Sequence, residues 1–504
     1  MSTKDAFPFS LSGAGGSNGN AAAALPALVS PTILREPVLH VQRISPRVRI
    51  TPQARCYAIR ELARRAGVPR DWHESWNIRV EANQTVLNLV PEGHQQIVFP
   101  HASPELLQNL SRGRFATVRR RWMSPPESNL REHIGEFLIP FAGDRNSLPK
   151  SLFVVRSSGR IECTVDLLLS VLLTLSRWEE TVVAERDSHG RFPASKSIAL
   201  RDGFLHRPVV DEWALGFREA LAFLVPSWRP EQRQLRVKLS HDADHIGFPF
   251  RWRSVLRHTI RYRHPKDSIR DVLSALVGSE PTEMCALRNI VSHSIERNLD
   301  CAVYWKASPP GSLDSGYDPR HAKVREFAGW LTDHQIESGF HPGYETYHAP
   351  VKLRRELLVL REALGEEGAL GGRQHYLRWS PQTWIHWEAC GLSYDSTVGF
   401  AEQIGFRAGT CIPYRPWLFA LNRESTLLEI PLLVMDCTLI EHMKLSEEGA
   451  LRAVTDCIDR CRLAGGVFTL NWHNNNFLQP RYRNLFERLL PLLEGAGHYD
   501  WRGE

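Results

Sequence analysis

The stretch 235-LRVKLSHDADHIG-247 decides the reading of the chain. Leu235, Val237 and Leu239 alternate with Arg236, Lys238 and Ser240, the period of a strand with one buried face. The alternation stops at His241, Asp242, Ala243, Asp244 and His245, where four of five side chains are ionisable. In extended backbone, residues two apart project from the same face, so Asp242 and Asp244 point together. Two carboxylates held this way can divide labour. One binds a metal, and the other, beside that charge, stays ionised and acts as a base. An aspartate pair closing a turn gives the same pattern, so the stretch alone leaves both readings open.

Outward from this strand toward the C-terminus, β-like and helical runs alternate. CAVYWKAS (301–308), IESGFHPGY (336–344), LLEIPLLVMD (427–436) and GGVFTLNWHNN (465–475) read as strands. HAKVREFAGWLTDHQ (321–335) and PVKLRRELLVLREALG (350–365) read as helices, the second with a glycine stop. Such alternation predicts an α/β fold with a largely parallel sheet or barrel. Chemistry in these folds sits at the C-terminal strand ends. Asp242, Asp244, His341, Asp436 and His473 all fall at such ends.

Toward the N-terminus the texture differs. Residues 52–66 have helical spacing, 77–100 alternate as strands, and 165–180 and 211–225 read as helices. PSWRPEQRQ (226–234) reads as a linker. We therefore expect a disordered leader over 1–38, an α+β domain over 39–230, and a separate α/β domain over 231–504. The leader is rich in Gly, Ala, Ser and Asn and lacks a basic start followed by an apolar core, so it is a poor signal peptide. The run VDLLLSVLLTL (165–175) is too short to span a bilayer and contains Asp166. A cytoplasmic location is the default expectation. Nine cysteines without a CxxC pair fit reduced thiols. The net charge of +6 is spread over 504 residues, and no nucleic-acid motif is present, so no nucleic-acid partner is expected.

Two further stretches carry metal-binding residue types. GFHPGYETYH supplies His341, Glu345 and His348; GGRQHYLRWS supplies Arg373, His375 and Arg378. Neutral imidazoles suit Zn2+ and similar ions. FTLNWHNNNF places His473 after a strand, where it can protonate a leaving amine if its other nitrogen is oriented, and Asp436 could orient it.

In this order, SHDADHIG, GFHPGYETY, GGRQHYLRWSPQTW, GLSYDSTVGFAEQIGFRAGTCIPYRPW, EIPLLVMDCTL and GVFTLNWHNNNF resemble the polysaccharide deacetylase family, the NodB-homology carbohydrate esterases. LLTLSRWEE and DSHGRFPASKSIALRDGFLHRPVVDEW resemble the extra N-terminal domain, of unassigned function, of a bacterial subgroup. The likeness runs over roughly residues 75–480. It implies a distorted (β/α) barrel, a divalent metal such as Zn2+, and hydrolysis of the N-acetyl group of an amino sugar in a polysaccharide or glycan precursor. By the same resemblance, Asp242 is the base, Asp244 and His341 are metal ligands, and Arg373 orients the base. The backbone N–H of Tyr376 belongs to the oxyanion hole, and His473 is the acid, oriented by Asp436. The family's second histidine, four residues after the first, is Glu345 here. His375 is the preferred third ligand, with Glu345 and His348 as alternatives. This departure also admits a non-catalytic glycan-binding or scaffold protein of a polysaccharide-assembly system, or a hydrolase acting on another N-acyl group. The basic insertion 251–278, densest over 251–266, reads either as a solvated helical face or as a contact for an anionic glycan, a lipid-linked sugar or a membrane surface.

Overall fold

A computed structural model describes residues 50–89, 94–123, 133–143, 150–247, 280–314, 316–365 and 368–504. The leader expected over 1–38 and the basic insertion 251–278 lie outside the described residues. Residues 43–504 form one compact unit.

The N-terminal region opens with α1 (Pro52–Ala66), capped by the Thr51 hydroxyl, which accepts from the N–H of Ala54. Strands β1 (Asn77–Val80), β2 (Gln84–Asn88) and β3 (Gln96–Pro100) follow. A small sheet holds β4 (Thr117–Arg121), β5 (Phe137–Pro140) and β6 (Lys150–Ser151). Strands β7 (Phe153–Ser157) and β8 (Arg160–Cys163) complete a five-stranded sheet of order β1-β2-β3-β8-β7. Helix α2 (Leu167–Leu175) is buried at every residue, as its all-round apolar sequence requires. It and α3 (Val209–Leu224) pack on α1. The helix expected over 165–180 stops at Leu175, and Arg177 takes a left-handed φ of 54°. That break turns the guanidinium of Arg177 onto Glu179 and Glu180, at 2.7 and 2.9 Å. Glu180 also receives Arg407 of the C-terminal region at 2.7 Å, and all these side chains are buried. Removing one partner of such a buried pair costs about 3–5 kcal/mol. The motif RWEE thus belongs to the junction between the two regions.

The C-terminal region is a parallel sheet. Its strands are β9 (Arg236–Ala243), β10 (Cys301–Trp305), β11 (Glu337–Phe340), β12 (Gly371–Gly372) and β13 (Tyr394–Asp395). After a short hairpin, β14 (Trp417–Leu418) and β15 (Arg423–Glu424), come β16 (Leu428–Glu429), β17 (Val434–Met435), β18 (Val467–Asn471) and β19 (Gly497–His498). The order is β16-β13-β12-β11-β10-β9-β18-β17, every pairing is parallel, and β19 joins the start of β9. Helices α4 (Thr282–Glu296), α5 (Ala322–Asp333), α6 (Pro350–Leu364), α7 (Pro381–Ala389), α8 (Glu447–Ala464) and α9 (Pro480–Leu489) lie between or after the strands.

The two ends of this strand path are neighbours in sequence. In a flat sheet, eight strands spaced about 4.8 Å apart would hold β16 and β17 about 34 Å from each other. The chain from Glu429 to Val434 reaches at most about 18 Å. The sheet must therefore curl into a barrel, which stays open because β16 and β17 do not pair. The strand expected over 427–436 is divided for a local reason: Pro431 has no N–H to give a ladder. Strand β12 has another distinctive feature. A Cβ on Gly372 would stand 1.8 Å from the carbonyl oxygen of Phe340, so β11 and β12 approach at a spacing only glycine allows. All nine cysteines are free, and no described helix is long and apolar enough to cross a membrane.

Candidate active site

The C-terminal strand ends converge on a cavity of about 260 Å³. Strand β9 brings Asp242 and delivers Asp244 just beyond it. Lys306 follows β10, His341 follows β11, Arg373 follows β12, Asp436 follows β17, and His473 lies two residues past β18. A larger cleft, of about 900 Å³, is lined by His206, Phe406, Cys457 and Arg460 and contains none of these groups.

On one wall, Asp242 is held by both oxygens. Oδ1 accepts from Nη1 of Arg373 at 2.9 Å, and Oδ2 accepts from Nδ2 of Asn471 at 2.8 Å. Arg373 is itself fixed, donating Nε to the carbonyl of Ser396 at 2.9 Å. Burial pushes the Asp242 carboxyl up, but Arg373, His341 and His473 outweigh it and hold the group below its ordinary value. His473 donates Nδ1–H to Oδ1 of Asp436 at 2.7 Å, and its backbone N–H reaches Oδ2 at 3.0 Å. Asn476 gives Oδ2 a further bond at 3.0 Å. This fixes the ring, so Nε2 faces Asp242 Oδ2 at 3.8 Å and Asp244 Oδ2 at 3.9 Å. Burial would lower the pKa of His473, but Asp436 dominates and raises it well above the ordinary imidazole value. Asp436, Cys437 and His473 have donor atoms close enough to form a ligand group. There, however, Nδ1 of His473 already carries the proton given to Asp436, so it has no lone pair to offer.

On the other wall, Asp244, His341 and His375 bring one donor atom each into a common cluster. Nδ1 of His341 lies 2.7 Å from the carbonyl oxygen of Arg373. A carbonyl only accepts, so Nδ1 carries a proton, and a metal-binding form of the ring would offer Nε2 as its lone-pair donor. That Nε2 is buried without a hydrogen bond and stands 3.4 Å from Asp244 Oδ1. Nε2 of His375 stands 3.2 Å from the same oxygen. Two donors each about 2.0–2.1 Å from one tetrahedral Zn2+ lie roughly 3.3–3.4 Å apart, so the spacing and the donor set fit a divalent ion. Nδ1 of His375 lies 2.8 Å from Asp314 Oδ1, the carboxylate–histidine arrangement that orients metal-binding imidazoles. The same Asp314 oxygen accepts from Nζ of Lys306 at 2.6 Å and from the N–H of Tyr344 at 3.3 Å. The Lys306 amino group, wholly buried, is also 2.8 Å from Nδ1 of His375 and 3.8 Å from Asp244 Oδ1.

The remaining expected residues divide. Tyr376 lines the cavity at a left-handed turn, with φ 60° and ψ 15°, and Leu377 follows with φ 53°. Glu345 is 58% exposed and meets Arg378 at 3.9 Å, and neither it nor His348 lines the cavity. Of the three candidates for a third ligand, the fold brings His375 to Asp244 and His341. Lys306, Asn471 and Asp314 contact these groups, and the sequence reading did not single them out. Lys306 had a signal, a charge directly after the apolar run CAVYW, and Asn471 likewise ends a strand. Asp314 lies in the loop PPGSLDSGYD, where nothing marks it.

A family model of unknown function, DUF7033, matches residues 101–226. No curated protein matches the chain. Among solved structures, a protein from Mycobacterium smegmatis designated a polysaccharide deacetylase is similar at 15% identity. The match covers 54% of this chain and 89% of that one, with a TM-score of 0.36. A protein from Pseudomonas aeruginosa PAO1 with the same designation is similar at 13% identity, over 53% and 88%, with a TM-score of 0.35. Puue allantoinase is similar at 11% identity, over 55% and 91%, with a TM-score of 0.37.

Proposed function

We propose that the protein is a metal-dependent hydrolase that removes the N-acetyl group from an amino sugar in a polysaccharide or glycan precursor. The supporting observation is one cavity in which an anchored carboxylate, Asp242, and an anchored imidazole, His473, face the donor cluster of Asp244, His341 and His375. A divalent ion such as Zn2+, held by those three residues, would supply Lewis-acid polarisation of the acyl carbonyl and acidify water. Asp242 takes the proton from the attacking water, its orientation set by Arg373 and Asn471. The backbone N–H of Tyr376 receives the negative charge that develops on the carbonyl oxygen. His473, protonated and braced by Asp436, gives its Nε2 proton to the departing amine. The products are acetate and a free amino sugar. The test is metal content by elemental analysis, followed by acetate release from chitotetraose with and without a chelator. Metal-bound protein that loses acetate release on chelation is the expected result.

One observation favours a second reading. The buried Lys306 amino group stands where it can neutralise Asp244 and Asp314 without an ion. A metal-free protein that releases no acetate yet binds chitotetraose would establish a glycan-binding or scaffold protein instead.

A further inference from the structure

The segment Asp187–Arg191 belongs to the part of the chain that matches the family of unknown function, yet it closes on the turn that carries Tyr376. Asp187 folds the segment upon itself. Its Oδ1 accepts from the N–H groups of His189 and Arg191, both at 2.9 Å, and its Oδ2 accepts from Nε of Arg191 at 2.7 Å. The guanidinium so fixed donates Nη1 to the carbonyl of Tyr376 at 3.0 Å and forms part of the cavity wall. The His189 ring lies 4.8 Å from the Tyr376 ring, and its Nδ1 is 3.1 Å from the Tyr344 hydroxyl. From the barrel side, Arg378 donates Nε to the carbonyl of His189 at 2.8 Å and stacks on Tyr344 at 3.7 Å.

The gripped turn is one that L-residues disfavour, since Tyr376 and Leu377 are both left-handed. Such a conformation persists where surrounding structure over-determines it. We propose that Asp187–Arg191 is a positioning element. Arg191 and His189 hold Tyr376 in the backbone conformation that the oxyanion site uses, so the N-terminal region completes the reaction site in the same chain. This rests on the deacetylase reading for its chemistry, though the grip itself is independent of it.

The experiment uses the full-length chain and the variants Arg191→Ala, Arg191→Lys and His189→Ala, each checked for an unchanged melting temperature. Two readouts are taken: kcat and KM for acetate release from chitotetraose, and amide hydrogen exchange of peptides spanning 373–380. For Arg191→Ala we expect kcat to fall about tenfold or more with KM within roughly twofold, as for a misplaced reacting group. Exchange at 373–380 should accelerate about tenfold, and Arg191→Lys should restore part of both. Unchanged exchange in Arg191→Ala and His189→Ala overturns the proposal, as does unchanged kcat in an active enzyme. A wild type that releases no acetate sinks the deacetylase reading, and the exchange measurement then decides the positioning role alone.

Discussion

The wall of the cavity that carries Asp242 and His473 is held by residues in or directly after strands. Arg373, Asn471 and Asp436 each hydrogen-bond a neighbour across the sheet. The opposite wall leans in part on loops: Asp314 supports His375, and a segment from another region supports Tyr376. A sheet fixes its strand ends through many parallel hydrogen bonds at once, whereas a loop needs a dedicated contact for each side chain it places. Variants should therefore separate the walls by what they lose. On the strand wall they should lose chemistry; on the loop wall, ion affinity and alignment.

The largest effect is expected from Asp242→Asn, which keeps the shape of the strand wall and removes the proposed base. Acetate release should fall by a factor on the order of 10² or more, with metal content unchanged. Full activity would remove Asp242 from its role. Asp314→Asn tests the loop wall. Zn2+ affinity, measured by competition with a chromophoric chelator, should drop about 10- to 100-fold, as for the loss of a ligand-orienting carboxylate. Affinity equal to wild type would break the contrast between the walls.

Asp436→Asn should act through pH. The carboxylate of Asp436 overcomes burial to raise the pKa of His473, which favours the protonated form of the proposed acid. Without it, the alkaline limb of the kcat profile should move to lower pH by about one unit or more. The stability linkage has the same sign. A raised folded pKa stabilises fully below about 6.5, and the stabilisation disappears as pH rises through the folded value. Urea unfolding at several pH values would show this slope flattened in the variant. The smallest effect belongs to Glu345→Ala, because its side chain is exposed and its ion pair long. Metal affinity and turnover should stay within roughly twofold of wild type; a loss of bound metal would return Glu345 to the ligand set.

The strand wall was the legible one. An alternating run ending in charge, as in LRVKLSHDAD, marks both a strand and its functional end. The same logic pointed to Asp436 and His473 on that wall and to His341 on the other. It missed β12, because two glycines carry no periodicity. It also joined β16 to β17, because Pro431 sits inside an otherwise strand-like run. The loop wall was hidden for a different reason. Asp314 and Arg191 act on residues about 60 and 185 positions away, at 2.8 and 3.0 Å, and local pattern holds no trace of such pairings. His375 had a residue-type signal in GGRQHY, and the likeness to a family motif made it the preferred third ligand.

The glycine pair of β12 has a consequence beyond packing. Because Gly372 has no side chain, Arg373 sits close enough to β11 to donate its N–H to Phe340 at 3.0 Å and offer its carbonyl to His341 at 2.7 Å. A methyl group at Gly372 would wedge the two strands apart and withdraw that carbonyl from the imidazole. His341 could then carry its proton on either nitrogen, and a fraction of molecules would turn an N–H toward Asp244 in place of a lone pair. The spacing between two strands thus sets the tautomer of a ring that neither strand contains.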